Sequence, residues 1–506
     1  MMFDPQKLHP ISYVSGFLAS LKENVFPLII AVFIVVTRGL DNFWDLTFPI
    51  VLLIFSLISS IFKAIKIYNT RYWIENDQLI MTWGVFSKNR KELNIERIQS
   101  VDTSQNIVHQ LLGGVSLSIK TPSDGIELDT ITKSQSDSLS KYLKERKYAI
   151  KNKELSEDEL NEEHGTSSDS DQRDVINEKE EVVFFRLSTK DLLKMSFTSG
   201  GILIVFAALG SLLGFFTQII DIEDYISPLI NQVVNLTFVI ISITLLFIIL
   251  SYVIGSLIVF IKNYKYQLTF DGDLLTVKYG LLTVQKRTVP IRRIQALKEE
   301  ESIFRRVIGY TKISAIITSD GHFENGEDTD VGTVTILPFM KKKEAYQLLE
   351  DIIPQFQFHS VKKGLPKQGI RRRVFIPTII LLIIVIPIQI YLWSYTWIIG
   401  IVIFLVMLFY ASIITLKSGY KIYDDSIVIL NATPFEYTTI WANRNKILTF
   451  ELHENPIIKR KDIAHFTIQI AYGNGMLSKG LRFINKQDTL NIYKWYKDKG
   501  GHVDAS

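Results

Sequence analysis

Residues 93–118 read LNIERIQSVDTSQNIVHQLLGGVSLS, and residues 289–314 read VPIRRIQALKEEESIFRRVIGYTKIS. The two stretches align without a gap at a constant shift of 196 positions (93 to 289, 118 to 314). Ile95, Arg97, Ile98, Gln99, Ile107, Gly113 and Ser118 thereby face Ile291, Arg293, Ile294, Gln295, Ile303, Gly309 and Ser314. A repeat at this separation, with apolar runs before each copy, means one module used more than once. Each copy reads as a strand, a turn and a short helix stopped by glycine.

Outward from the repeat, six apolar segments come in pairs, at about 24–37 and 46–64, 195–220 and 233–261, and 374–390 and 395–416. A short turn closes each pair, and the lengths approach the ~20 residues that a bilayer core requires, so helical hairpins are expected. ISYVSGFLASL, before Lys22, is an interfacial helix or part of the first span. The tight turns carry Arg38, Asp41 and Asp45, then Asp221, Glu223 and Asp224, and no charge in YLWSYTW. The open ends carry Lys63, Lys66, Lys190, Lys194, Lys262, Lys265, Arg371, Arg372, Arg373, Lys417 and Lys421. By the positive-inside rule the turns lie outside a plasma membrane, and every large polar segment and both termini are cytoplasmic. The polar start MMFDPQKLHPIS, with two prolines, does not read as a cleavable signal peptide.

A polar stretch of similar design follows each hairpin. In the first, YWIENDQLIMTW predicts two strands turning at Asn76 and Asp77, KELNI a third, VSLSIK and GIELDTI two more, and SQSDSLSKYLKERK a closing amphipathic helix. The second repeats the order with YQLTF, LLTVKYG, TVPI, SIFRRVIG, TKISAII, TVTIL and a helix from 341 to 349, and inserts the acidic loop DGHFENGEDTD. The third has diverged: it keeps KIYDDSIVIL, NRNKILTFEL, HFTIQIAY, LRFI and LNIYKWYKD but lacks the Arg-Ile-Gln triplet and the glycine stop. Residues 148–181, densely acidic and poor in apolar side chains, predict a solvated, disordered linker.

The chain of 506 residues has no cysteine, which excludes disulfides, thiolate nucleophiles and cysteine-held metal. No P-loop, HExxH or GxSxG pattern is present, so no enzyme and no cofactor are expected. GNGMLS, at 473–478, is a hairpin turn rather than a nucleotide loop, and the acidic loop lacks EF-hand spacing. The spans hold essentially no ionisable group at bilayer depth, where a coupled transporter needs one. An apolar conduit for a lipid or hydrophobic peptide stands as the alternative.

The net charge of +4 conceals a basic cluster, comprising Lys286, Arg287, Arg292, Arg293, Lys298, Arg305, Arg306 and Lys312, directly below a membrane. Lys88, Arg90, Lys91 and Arg97 are its thinner counterpart in the first module. Lys286, Arg287, Arg292, Arg305 and Arg306 are candidate contacts for anionic lipid, at ~1 kcal/mol each when they reach the surface; solvated surface charge is the alternative. No nucleic-acid motif accompanies them. Ile95, Ile98, Ile291 and Ile294 should fill the core. Arg97, Gln99, Gly113, Arg293, Gln295 and Gly309 stand between pinning the fold and contacting a partner, with pinning favoured.

KLHPIS at 7–12, the hairpin and strands after it, and the polar-Ile-x-Arg-Ile-Gln segment leading to Leu-Leu-Gly-Gly resemble the bacterial membrane proteins with pleckstrin-homology (PH)-like domains of the second bacterial type. Over its whole length the chain looks like the three-unit, YdbT-like branch of that family, with FFRLST at 184–189 echoing KLHPIS. The resemblance implies an α+β membrane protein. Three transmembrane hairpins (six helices) would alternate with three small cytoplasmic PH-like β-barrels, each with a C-terminal helix. The expected boundaries are 1–67 for the first hairpin, 68–147 for the first domain, 148–181 for the linker, 182–263 for the second hairpin and 264–357 for the second domain. The third hairpin would follow at 358–419, the third domain at 420–499 and a tail at 500–506. It further implies a smaller membrane protein with one such domain as partner, beside the lipid bilayer, and a role in envelope stress or tolerance to membrane-active peptides such as bacteriocins.

Overall fold

The structure, a computed structural model, describes residues 4–25, 43–121, 125–162, 182–199, 236–318, 332–358, 361–391, 395–454, 461–473 and 475–497, with isolated positions between them. Two compact units are present, Met1–Val289 and Pro290–Ser506.

In the first unit, β1 (Gln6–Lys7) leads into α1 (Ile11–Glu23), and the long apolar helix α2 (Phe43–Asn69) runs into β2 (Arg71–Glu75). β2 turns into β3 (Gln78–Trp83) through Asn76 and Asp77, at φ 49° and 58°, the left-handed pair that a two-residue hairpin requires. β4 (Asn89–Asn94) completes a four-stranded sheet in the order β1-β2-β3-β4. A 3₁₀ turn, Ile95–Arg97, then swings the chain into β5 (Ser100–Gln105), the short helix α3 (Ile107–Leu112), β6 (Gly114–Lys120), β7 (Gly125–Thr132) and α4 (Lys133–Glu162). Alternate residues from both layers meet in one core: Ile74, Leu79, Leu93, Ile95, Leu117, Ile119, Ile126 and Leu128, closed by Leu139 and Leu143 of α4. Each fully buried Leu or Ile there contributes about 1.5–3 kcal/mol. The helix α4 extends past residue 147, where the first domain was expected to end; the rest of the expected linker, from 163, lies outside the described residues.

The pairing of β5 departs from an independent barrel. Its neighbours are β6 on one side and, on the other, β11 (Val284–Pro290) from the second repeat. With β8 (Val182–Arg186), β9 (Gln267–Phe270) and β10 (Leu274–Tyr279), these strands make one seven-stranded sheet in the order β7-β6-β5-β11-β10-β9-β8. Three strands of the first repeat and four of the second thus share a sheet. The edges that two separate barrels would leave open satisfy each other. The helices α5 (Thr189–Thr198) and α6 (Leu236–Lys262) lie between β8 and β9 in the chain.

The second unit is built the same way. After a second 3₁₀ turn, Ile291–Arg293, come β12 (Ile294–Ser302), α7 (Ile303–Ile308), β13 (Tyr310–Ile317), β14 (Thr333–Lys341) and α8 (Lys342–Ile352). There follow β15 (Lys362–Lys363), the apolar helices α9 (Gln368–Tyr391) and α10 (Thr396–Lys417), β16 (Gly419–Ile422), β17 (Ser426–Ala432) and β18 (Glu436–Asn443). β12 pairs with β18 over seven residues, from Ala296 opposite Ala442 to Ser302 opposite Glu436, giving the order β14-β13-β12-β18-β17-β16-β15. A third 3₁₀ turn, Arg444–Lys446, leads to the sheet β19 (Ile447–His453), β20 (Ile463–Tyr472) and β21 (Gly475–Asn485), and then to α11 (Lys486–Lys497). The expected turn at GNGMLS is the β20–β21 hairpin, with Tyr472 opposite Gly475. Its core joins Ile427, Ile429, Ile440, Phe466, Ile468 and Ile484.

Four described helices are long and apolar enough to cross a membrane: Thr47–Asn69, Thr244–Lys262, Gln368–Tyr391 and Thr396–Lys417. The predicted spans 24–37 and 195–220 fall largely outside the described residues, as does the acidic loop after Ile317.

Candidate functional site: two ends of each sheet

Strand direction gives each sheet two distinct ends. At one end the apolar helices leave: α2 runs straight into β2, and α10 into β16. At the other lie the 3₁₀ corners, one strand length away. For the nine residues of β12 that length is about 30 Å.

The repeated Arg-Ile-Gln motif sits at the corner end. Asn94 caps the first corner by accepting from the Glu96 N–H at 2.9 Å, and Ile98 N donates to Ile95 O at 3.1 Å. Ile95 N donates to Asp77 O of the β2–β3 turn, and Gln99 N to Lys120 O. Lys147 of α4 also reaches the Ile98 carbonyl. Ile95 and Ile98 are buried, Arg97 is exposed and Gln99 is half-buried. In the second corner Gln295 Nε2 donates to Arg293 O at 3.0 Å, and Arg292 is exposed. The third corner takes the same form without the triplet: Ile447 N donates to Arg444 O, as Ile98 and Ile294 donate to Ile95 and Ile291. The three corners share a buried isoleucine at their exit.

Gly113 and Gly309 lie at the opposite end, where each caps a short helix in the left-handed region, at φ 73° and 75°. Their carbonyls accept from Lys133 N and Lys342 N, the first residues of α4 and α8, so each cap also sets the start of a longer helix.

Around these caps the helix-bearing end exposes apolar side chains. In α3, Leu111 is 80 % exposed; in α7, Val307, 196 positions on, is also 80 % exposed. The β3–β4 turn presents Phe86 at 91 %, and the β10–β11 turn presents Leu281 and Leu282. Gly84 and Gly280 make both turns tight: a Cβ would come 1.8 Å from Ser87 O in one and 2.0 Å from Thr283 O in the other. In the second unit the β17–β18 turn presents Phe435, whose carbonyl accepts from Ile303 N at the head of α7.

The basic candidates divide between these environments. Arg305 is buried: its guanidinium donates to Pro338 O at 3.3 Å over the Phe339 ring, and burial lowers its pKa. Arg306 lies 4.0 Å from the centre of the Tyr437 ring. Lys286 and Arg287 lie half-buried along β11, whereas Arg292 is at the corner end.

A buried polar cluster escaped the sequence reading. Glu299, fully buried, accepts from Tyr346 Oη at 3.0 Å and pairs with Lys342 at 3.2 Å, and Lys342 also holds Glu301 at 2.5 Å. Burial pushes the Glu299 carboxyl up against the pull of Lys342, and burial and Glu299 together raise the Tyr346 hydroxyl. Tyr346 stacks on Phe358, and both rings meet Trp441 edge-on. The available signal was LKEEES itself, in which two glutamates take the inward positions of an alternating strand.

A family model for the bacterial PH domain matches the chain twice, at residues 23–147 and 205–355, together more than half of its length. The chain therefore belongs to the bacterial PH domain family. Over 98 % of its length and 99 % of the relative's, it is 24 % identical to the UPF0699 transmembrane protein YdbT of Bacillus subtilis (strain 168), and it is a YdbT-like protein. No solved structure matches it.

Proposed function

We propose that this membrane protein uses its PH-like domains as a cytoplasmic, membrane-apposed platform that binds other proteins, without catalysis, in tolerance to membrane-active peptides. The observation that carries the reading is the sharing of sheets between repeats: β5 with β11, and β12 with β18. Within each unit the shared sheet makes one hydrogen-bonded surface out of strands from two repeats, tied to apolar helices. Such a surface suits binding of an extended partner. Arg97 in the first unit and Arg292 in the second are each exposed at the corner end of their own sheet, and each is a candidate contact for a cytoplasmic partner.

Deleting the gene and dosing cells with small cationic bacteriocins tests the biological half of the reading, and increased killing is expected. Unchanged sensitivity, with and without a co-expressed small membrane protein carrying a single PH-like domain, would sink the tolerance role. Affinity capture of that partner, and its loss on charge reversal at Arg97 and Arg292, tests the platform.

A further inference from the structure

We propose that, in the first unit, the helix-bearing rim formed by the turn at 84–87, the turn at 280–283 and α3 is seated in the interfacial layer of the bilayer that α2 and α6 cross. Phe86, Leu111 and Leu282 would be in contact with lipid. The inference rests on these helices spanning a membrane and is independent of any protein partner.

Depth is the first ground. Leu281 N donates to Ile261 O at 3.0 Å, and Gly280 N to Tyr264 O at 2.9 Å, so the second turn is hydrogen-bonded to the last turn of α6 and the residues just after it. Asn69 Nδ2 donates to Gly84 O at 2.9 Å, tying the first turn to the end of α2, and the Phe86 ring lies 5.9 Å from that of Phe62. α3 is fastened to the same level, because Gln110 Nε2 donates to both Leu281 O and Leu282 O, at 3.1 and 3.0 Å. All three elements therefore sit where the apolar helices end.

Chemistry is the second. Large apolar side chains left this exposed on adjoining elements mark a surface that water does not cover. The groove between α2 and the first turn is walled by Phe55, Ile58, Phe62 and Val85, with Lys63 and Lys66 beside it. Both lysines interact electrostatically with the carboxyl of Asp129, an exposed residue of β7 whose negative charge opposes theirs. The groove is thus suited to acyl chains and glycerol more than to a particular headgroup. Apolar side chains at the ends of spanning helices are also those that bilayer interfaces take up.

The chain lacks cysteine, so single cysteines can be placed in the full-length protein without altering other residues. Phe86→Cys, Leu111→Cys and Leu282→Cys, with Glu96→Cys at the corner as control, would carry a bimane label in vesicles of phosphatidylcholine alone or mixed with phosphatidylglycerol. Replacing the lipid with one brominated near the top of its acyl chains should remove more than half of the fluorescence at the three rim positions, equally in both compositions, and leave Glu96→Cys unchanged. Ser87→Cys, which retains Phe86, reports on the same turn where Phe86→Cys does not fold. Three results would overturn the proposal: rim labels quenched by aqueous iodide instead, rim labels reached by neither quencher because protein or a second copy covers them, and quenching that requires phosphatidylglycerol.

Discussion

Asp102 of the first repeat accepts a hydrogen bond from the Thr288 backbone of the second, with Oδ1 2.9 Å from N. The backbone register between β5 and β11 runs from Val284 opposite Gln105 to Lys286 opposite Thr103. The carboxylate therefore prolongs the strand junction with a side-chain acceptor. Its other oxygen lies 2.6 Å from Lys120 Nζ.

Asp102→Ala should remove both contacts and leave a half-buried lysine and a backbone donor without this acceptor. The expected loss is about 2–3 kcal/mol, against about 1 kcal/mol for Asp102→Asn, which keeps an acceptor. Thermal unfolding of the purified protein in detergent separates the two variants. Equal losses would mean that the Lys120 pair, and not the junction, is what Asp102 serves.

The four repeated glycines should fall into two classes. Gly113 and Gly309 have open space where a Cβ would stand, so alanine there meets only the left-handed backbone penalty of about 1–2 kcal/mol. At Gly84 and Gly280 the Cβ collides with a backbone carbonyl that cannot yield without opening the turn. Alanine there should cost clearly more, and the yield of folded protein from membranes should drop further than for the cap variants.

Glu300 supplies a pH signature. Burial opposes its ionisation, but Lys312 at 2.8 Å and Lys298 outweigh it and hold the carboxyl at about 2, below its ordinary 4.5. A depressed folded-state pKa means stability that is complete above the unfolded value and is lost as pH falls from 4.5 toward 2, on the order of 3 kcal/mol in all. The stability difference between the native protein and Glu300→Gln should therefore shrink on acidification through that window. A difference independent of pH there would contradict the assignment.

Topology is testable apart from function. Reporter fusions at Asn42, Glu223 and Ser394 should score as extracellular, because the basic residues gather at the other ends of the apolar segments. A cytoplasmic score at two of the three would reverse the orientation.

Much of the local structure was legible in the chain. Asn76-Asp77 announced its hairpin, Ile107 through Gly113 its short capped helix, and Gly473 its turn, because each depends on neighbouring residues and backbone chirality alone. The leading strands β1, β8 and β15 were not legible. Each is only two to five residues long, and its pairing, not its composition, defines it.

The amino-acid sequence by itself determined the repeated module, the apolar helices and the corner that exits through a buried isoleucine, since periodicity and local sterics are written along the chain. Only the tertiary structure decided that β5 completes its sheet with β11, and β12 with β18. A strand edge presents the same N–H and C=O groups whatever its side chains, so nothing in β5 names its outer neighbour. The same holds for the basic residues that crowd together in the sequence. Arg292 and Arg305 lie at opposite ends of β12, one exposed at the corner and one buried beside the apolar rim, because an extended strand carries its two ends about 30 Å apart.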